Sequence, residues 1–116
     1  MPLNIRVERD IVVLSNFGRL MNDPRYVDAS RDTSDLLEKG FTKFILDLGG
    51  FRETGSSFLG LLMTMTRRIR NHGAEAVLAH LSPDTQRFLG EMQMDDYWDI
   101  FKTVEEASRF FERGSE

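Results

Sequence analysis

The chain contains no cysteine, which excludes disulfide bonds, thiolate metal sites and a cysteine nucleophile. It also contains no apolar run near the roughly 20 residues that span a bilayer, so we expect no membrane insertion. Its first ten residues intersperse charges with single apolar residues, whereas a secretory signal has a basic end followed by an unbroken apolar core. These absences predict a cytoplasmic protein.

Positive charge is not in excess either. The formal net charge is −4, which argues against a nucleic-acid partner and favours a protein partner. Hydrophobic residues make up 41% and charged residues 29% of the 116 residues, as in a soluble globular protein of one domain. We therefore predict a single domain over residues 1–116, with a frayed tail at 113–116.

Changes in hydrophobic period predict an α/β fold. Alternating apolar residues at 3–7 and an apolar run at 11–14 predict an antiparallel hairpin. Asp23 and Pro24 predict the start of a helix that ends at Gly40. Further strands are predicted around 44–46 and 74–81. Further helices are predicted from Ser56 to Asn71, from 82 to 90, and after Thr103. With one more strand before the last helix, the order is β-β-α-β-α-β-α-β-α.

Two serines, Ser56 and Ser57, open the helix that follows the strand at 44–46. The first turn of a helix carries unpaired N–H groups and the positive end of the macrodipole, so it favours an added negative charge such as a phosphate. A serine at this position also caps the helix, with a contribution of about 1 kcal/mol. Both interpretations stay open on the residues alone.

The same helix is apolar over a wide arc of roughly 200°. Phe58, Leu61 and Met65 widen a stripe formed by Leu59, Leu62, Met63 and Ile69. Either a neighbouring helix covers these three residues, or they form an exposed patch that binds another protein.

Other candidate sites are weaker. His72 and His80 lie eight residues apart without carboxylates at ligand spacing, so we expect no metal. Gly49-Gly50 lacks the residues of a phosphate-binding loop and predicts a turn, and we expect no cofactor. No nucleophile and base occur at useful spacing, so we expect no catalytic residue.

A basic cluster at 66–70 predicts a solvated face or a contact with an acidic partner. A cluster before the last helix is predicted to close the hydrophobic core and not to form a ligand cage; it consists of Met92, Met94, Tyr97, Trp98 and Phe101.

A series of short motifs follows a characteristic order along nearly the whole chain: Val12-Val13-Leu14, Gly18-Arg19-Leu20, Gly40-Phe41, Phe44-Ile45-Leu46-Asp47-Leu48, Ser56-Ser57, Leu59-Gly60, Gly73, Ala76-Val77-Leu78, Leu81-Ser82-Pro83, Phe101 and Thr103-Val104-Glu105-Glu106-Ala107. In their order and spacing these motifs resemble the STAS domain, the family of sulfate transporter and anti-sigma factor antagonist domains. The resemblance implies a mixed sheet opened by the hairpin, with helices mainly on one face.

In the antagonist branch of that family, an anti-sigma factor that is also a serine kinase phosphorylates the first serine of an Asp-Ser-Ser-Gly motif. By position that serine is Ser56, with Ser57 as second choice. Here Gly55 replaces the acid and Phe58 replaces the glycine, so the motif is degenerate. A further acid of such antagonists falls at Met21, although Asp23 lies nearby.

The resemblance implies a non-enzymatic protein-binding module switched by phosphorylation of Ser56. The residues expected to bind the partner are Met21, Asp23, Gly55, Ser56, Ser57, Phe58, Leu61 and Met65. An alternative is a phosphorylation-independent STAS adaptor in a stressosome-like scaffold or a membrane transport complex.

Overall fold

A computed structural model describes residues 4–17, 26–50 and 56–114, and these residues form the predicted elements in the predicted order. The strands are β1 (Asn4–Glu8), β2 (Ile11–Ser15), β3 (Lys43–Asp47), β4 (Glu75–Ala79) and β5 (Ile100–Phe101). The helices are α1 (Tyr26–Glu38), α2 (Ser56–Asn71), α3 (Pro83–Glu91) and α4 (Val104–Gly114). α4 thus includes two of the four residues for which we expected fraying.

The five strands form one mixed sheet in the order β1-β2-β3-β4-β5. β1 pairs with β2 antiparallel, whereas β2, β3, β4 and β5 run parallel to one another. β2 is buried at every position from Ile11 to Leu14, because the sheet is covered on both faces at its centre. β1 is an edge strand, and its residues are exposed apart from the half-buried Ile5. The predicted hairpin and mixed sheet are confirmed.

Side chains that alternate along the central strands enter two separate hydrophobic clusters. Val12 and Leu14 of β2 join the larger cluster, which includes residues of α1, α2 and α3. Ile11 and Val13 join a smaller cluster closed by Ala107 and Phe111 of α4. Three helices therefore pack on one face and one on the other, which confirms the expectation of helices mainly on one face.

The helix ends follow the local signals in the sequence. α2 stops at Asn71, and Gly73 adopts the left-handed conformation, with φ of 80°, that lets the Ala74 N–H reach back to the Ile69 carbonyl at 3.2 Å. At the start of α3, the Ser82 hydroxyl accepts a hydrogen bond from the Thr85 N–H. Asp23 and Pro24, the predicted start of α1, lie outside the described residues.

The start of α4 shows half of the predicted capping box. The Thr103 hydroxyl accepts a hydrogen bond from the Glu106 N–H at 3.1 Å. α4 then places Ala107 and Phe111 against the sheet, while Phe110 remains 37% exposed. The cap thus begins the helix whose apolar face closes the smaller cluster.

The turn between β1 and β2 is tied to distant parts of the chain. Lys43, at the start of β3, donates a hydrogen bond to the Asp10 carboxylate at 2.7 Å, and Arg9 pairs with Glu112 of α4. The hydrogen bond from Lys43 is the main reason why the pKa of Asp10 lies below its usual value. These contacts connect the turn of the hairpin to β3 and α4.

The aromatic segment before β5 closes the larger cluster through Trp98, which is 3% exposed. Its indole N–H donates to the Thr66 hydroxyl of α2 at 2.8 Å, so both buried polar groups are paired. Met94 and Tyr97 pack against the same cluster, and Phe101 packs against the smaller one on the opposite face. Core closure is confirmed for these residues but wrong for Met92, which is 48% exposed because it follows the end of α3.

Candidate functional site

The carboxyl ends of the parallel strands lie at one edge of the sheet, and the chain passes from that edge to the start of α2. The Leu48 N–H donates to the Ala79 carbonyl at 3.0 Å, so the chain leaving β3 stays attached to β4 for one more residue. The Asp47 carboxylate then accepts a hydrogen bond from the Gly49 N–H at 2.9 Å. Gly49 and Gly50 form a turn, as predicted.

His80 follows β4 at the same edge and faces the end of β3. Its Nδ1 lies 3.5 Å from the Asp47 carboxylate, an ion pair when the imidazole is protonated. The His80 backbone has φ of 64°, and its N–H donates to the Phe101 carbonyl at 3.1 Å. From the sequence, His80 was a candidate only for a metal ligand. Its position after a strand parallel to β3 was the signal that could have placed it beside Asp47.

A shallow polar cleft of about 250 Å³ opens next to this contact. The cleft is lined by Arg6, Asp47, His80, Thr103, Val104 and Glu105. Both signs of charge occur along it, and most of the His80 side chain is exposed. The Asp47 and His80 pair therefore lies at the surface.

α2 begins at Ser56, as predicted, and Ser57 is its second residue. No acidic residue occupies the first turn of α2, residues 56–59, while Arg68 and Arg70 occupy the last turn. The positive end of the helix macrodipole is therefore not offset by a carboxylate within the helix itself. This arrangement favours a negative charge added at the start of α2. Gly55, Met21 and Asp23, which we also expected at the partner surface, lie outside the described residues.

The wide apolar arc of α2 is buried in the core. Phe58 is 0%, Leu61 9% and Met65 3% exposed, and all three belong to the larger cluster. The Phe58 ring lies 6.3 Å from that of Phe88 in α3. A neighbouring helix therefore covers Phe58, as one of the two alternatives predicted. The other alternative, an exposed patch formed by these three residues, is wrong, because α2 is flanked by other helices on the same face of the sheet.

The opposite side of α2 is exposed and basic. A surface depression of about 410 Å³ is lined by Thr64, Arg67, Arg68, Asn71 and His72. Arg68 donates to the Ser34 hydroxyl of α1 at 2.8 Å, and Arg67 is exposed. His72 Nδ1 bonds the Arg68 carbonyl at 2.9 Å, which places this histidine at a helix end.

Arg70 does not belong to the solvated basic face. Its guanidinium pairs with Glu75 at 2.7 Å, donates to the Tyr97 carbonyl at 2.9 Å and lies 4.7 Å from the centre of the Tyr97 ring. Arg70 thus connects the end of α2 to β4 and to the segment before β5. This role depends on contacts between parts of the chain that are distant in sequence.

The described residues contain neither a metal-binding cluster nor a membrane-spanning helix. Across 4–17, 26–50 and 56–114, no group of three or more histidine, aspartate or glutamate side chains could hold a metal ion. Nor does any helix in those ranges combine the length and apolar character needed to cross a bilayer.

Comparison with known proteins assigns the fold described above. A sequence profile of the STAS domain matches residues 5–107, which is most of the chain. The chain belongs to the STAS family. The match begins at the second residue of β1, includes the other four strands and the first three helices, and ends within α4. No curated protein matches this STAS domain closely enough to count as a relative.

Solved STAS structures share the fold at low sequence identity. A protein of Thermotoga maritima assigned to the anti-sigma factor antagonists has a TM-score of 0.72 and 20% identity, covering 92% of each chain. An anti-sigma factor antagonist domain of Planctomyces limnophilus has a TM-score of 0.71 and 22% identity, covering 90% of this chain and 93% of its own. The Bacillus cell-fate determinant SpoIIAA, solved in its phosphorylated form, has a TM-score of 0.62 and 19% identity, covering 94% and 98%.

Proposed function

We propose that this STAS domain is an anti-sigma factor antagonist that binds an anti-sigma factor with serine kinase activity and is switched by phosphorylation of Ser56. The observation that carries the proposal is the position of Ser56 as the first residue of α2, in a chain with the STAS fold. Proteins of similar fold include one assigned to the anti-sigma factor antagonists and a cell-fate determinant solved in its phosphorylated form.

The antagonist itself does not need catalytic groups to become phosphorylated. A kinase supplies the base, the magnesium and the nucleotide, so its protein substrate must hold a hydroxyl in line with the γ-phosphate. A serine at the start of a helix whose apolar face is packed in the core supports that requirement. The phosphate would then interact favourably with the first turn of α2, while its charge and hydration oppose contact with the partner.

The two departures from the Asp-Ser-Ser-Gly motif have different consequences. Gly55 removes a carboxylate that could orient the Ser56 hydroxyl, but it also removes a like charge that would repel the phosphate. Phe58 is buried against Phe88 rather than exposed, so its ring does not stand between Ser56 and a kinase. The burial of Phe58 therefore supports a kinase interaction at the start of α2.

The first prediction concerns the phosphorylation site. Incubated with an anti-sigma kinase from the same genome, magnesium and ATP, the domain should gain one phosphate at Ser56. Mass spectrometry of the wild type, Ser56→Ala and Ser57→Ala measures it. If Ser57→Ala lost the added phosphate and Ser56→Ala retained it, the phosphorylation site would be Ser57, the second choice. That outcome would contradict the assignment to Ser56.

A second candidate function is a phosphorylation-independent STAS adaptor in a stressosome-like scaffold or a membrane transport complex. The replacement of the motif's acid by Gly55 favours this alternative, because one possible orienting group for the hydroxyl is missing. An adaptor would still bind through the surface around Ser56, but a charge there would not regulate it.

The second prediction separates these two functions by charge. Ser56→Asp should weaken binding to the anti-sigma factor about tenfold or more relative to Ser56→Ala, because a carboxylate imitates part of the phosphate charge whereas alanine removes only the hydroxyl. Calorimetry with the anti-sigma factor measures both affinities. Equal affinities of the two variants would favour the adaptor.

A further inference from the structure

β1 forms one edge of the sheet, and its outer side pairs with no other strand among residues 4–17, 26–50 and 56–114. The strand pairs with β2 in continuous register from Asn4 to Glu8, without a bulge, and it contains no proline. Bulges and prolines are two of the devices that prevent an edge strand from pairing with another chain. The backbone of β1 can therefore accept a further strand.

The hairpin turn decides which backbone groups of β1 point outward. Two residues separate Glu8 from its partner Ile11, so Glu8 and Ile11 exchange both of their backbone hydrogen bonds. Hydrogen-bonded and non-hydrogen-bonded pairs alternate along an antiparallel ladder. The N–H and C=O groups of Ile5 and Val7 therefore point away from β2, toward the free edge.

The side chains of β1 alternate between the two faces of the sheet. Val7 lies opposite Val12, on the face of the larger cluster, but 44% of Val7 remains exposed. Arg6 and Glu8 lie on the other face, where the Arg6 Nε is 2.9 Å from a Glu8 carboxylate oxygen and both side chains are more than half exposed. The edge thus presents an exposed apolar side chain between two residues of opposite charge.

This pattern is complementary to itself. When two copies of β1 pair antiparallel about Val7, the outward N–H and C=O of each Val7 bond those of the other. The two valine side chains then meet on one face of the sheet. On the opposite face, Arg6 of each copy lies directly across from Glu8 of the other copy, which gives two cross-strand pairs of opposite charge.

A neighbouring register is disfavoured by charge. Pairing about Arg6 is also compatible with the outward backbone groups, since it sets Ile5 opposite Val7. It places Arg6 of one copy opposite Arg6 of the other, however, and like charges directly opposite each other destabilise a strand pair. Of these two registers, only the one about Val7 pairs opposite charges.

We propose that two copies of this STAS domain associate through the outer edges of β1, in the antiparallel register centred on Val7, so that the two five-stranded sheets become continuous. The pairing covers the exposed Val7 side chains and satisfies the outward backbone groups at that position. Because the paired stretch is short, the association is weak and requires a high protein concentration. It is independent of the function proposed for Ser56, and its test needs neither a kinase nor a phosphate.

Charge reversal tests the pairing of Arg6 with Glu8. Arg6→Glu leaves two carboxylates at these positions and Glu8→Arg leaves two guanidinium groups, so each variant opposes like charges in its own dimer. Analytical ultracentrifugation from about 10 μM to about 1 mM should show self-association of the wild type and a dissociation constant at least about tenfold higher for either variant. Lys102→Glu and Glu91→Arg, exposed charge reversals outside β1, are matched controls and should associate as the wild type does.

An equal mixture of Arg6→Glu and Glu8→Arg separates pairing between chains from effects within one chain. In the register about Val7, the mixed dimer places each carboxylate of one variant opposite a guanidinium of the other. It should therefore form with a dissociation constant within about threefold of the wild-type value. The contact between positions 6 and 8 of a single chain is restored in neither variant, so it cannot explain this recovery.

Val7→Pro tests the backbone of the edge. Proline removes the outward N–H of position 7 but no hydrogen bond to β2, and it is tolerated at such edge positions. The dissociation constant of the dimer should rise at least about tenfold, while the circular dichroism spectrum stays unchanged. Val7→Thr keeps the N–H and a β-branched side chain, and it should associate within about threefold of the wild type.

Each failure has a distinct meaning. A wild type that stays monomeric at about 1 mM would overturn the proposal and leave Arg6 and Glu8 as charges that protect the edge from pairing. Association of Arg6→Glu with the wild-type constant, or a mixture that does not recover, would overturn the register about Val7. Association of Val7→Pro with the wild-type constant would place the contact outside the edge of β1 and contradict the proposal.

Discussion

Replacing Phe58 with alanine should lower the free energy of unfolding by about 3–5 kcal/mol. The Phe58 side chain is 0% exposed in the larger hydrophobic cluster, and its ring contacts that of Phe88. Truncation removes the buried ring and leaves a cavity that α2, α3 and the sheet fill only in part. Urea denaturation followed by circular dichroism measures the loss.

Phe110→Ala is the matched control for this prediction. It removes the same side chain from α4, where Phe110 is 37% exposed and contacts Phe101 and Phe111 at ring separations of 5.2 and 5.6 Å. We expect a smaller loss of about 1–2 kcal/mol, since Phe110 is less buried than Phe58 and its truncation leaves no enclosed cavity. If Phe58→Ala lowered the free energy of unfolding as little as Phe110→Ala does, burial of Phe58 would be contradicted, and Phe58 would again be a candidate residue of the partner interface.

Replacing Trp98 with alanine should destabilise the domain by a similar amount, about 3–5 kcal/mol. Trp98 is 3% exposed, packs edge-on against Tyr97 at 4.7 Å and donates its indole N–H to Thr66. The loss includes the cavity and the missing anchor between α2 and the segment before β5. Because Trp98 is the single tryptophan of the chain, circular dichroism must replace fluorescence as the probe.

Two further variants help to interpret the destabilisation caused by Trp98→Ala. Thr66→Val keeps the shape of the side chain but leaves the buried indole N–H without its acceptor, at a cost of about 1–3 kcal/mol. Met92→Ala removes a side chain from the same segment that is 48% exposed, and it should change stability by less than about 0.5 kcal/mol. A Trp98→Ala loss close to that of Met92→Ala would contradict the packing of this segment onto α2.

These contacts bear on how a charge at Ser56 could act. α2 is held near its start by Phe58, at its middle by the bond between Thr66 and Trp98, and near its end by Arg70 with Glu75 and Tyr97. A helix fixed at three points gives a phosphate at its first residue little freedom to move the helix. The proposed switch therefore acts through the charge of the surface around Ser56 and requires no displacement of α2.

The sequence by itself determined the order of the elements and the bounds of α2. These features depend on residues close together in the chain. Hydrophobic period distinguishes strand from helix, Ser82 and Thr103 cap helix starts, and Gly73 permits the left-handed turn that ends α2. The same local signals place Ser56 at the start of α2, and the STAS resemblance adds the expectation that it is the phosphorylated serine.

Only the tertiary structure determined which residues pack against each face of those helices and strands. The pattern of α2 predicted a wide apolar arc, but burial of Phe58, Leu61 and Met65 depends on α3 and the other helices on the same face of the sheet. The register that sets Asp47 beside Ala79 brings His80 to Gly49, across 31 residues of sequence. Such contacts arise from parallel pairing and packing between distant segments, which local propensity does not specify, because a helix or strand carries the same local pattern whichever neighbour covers it.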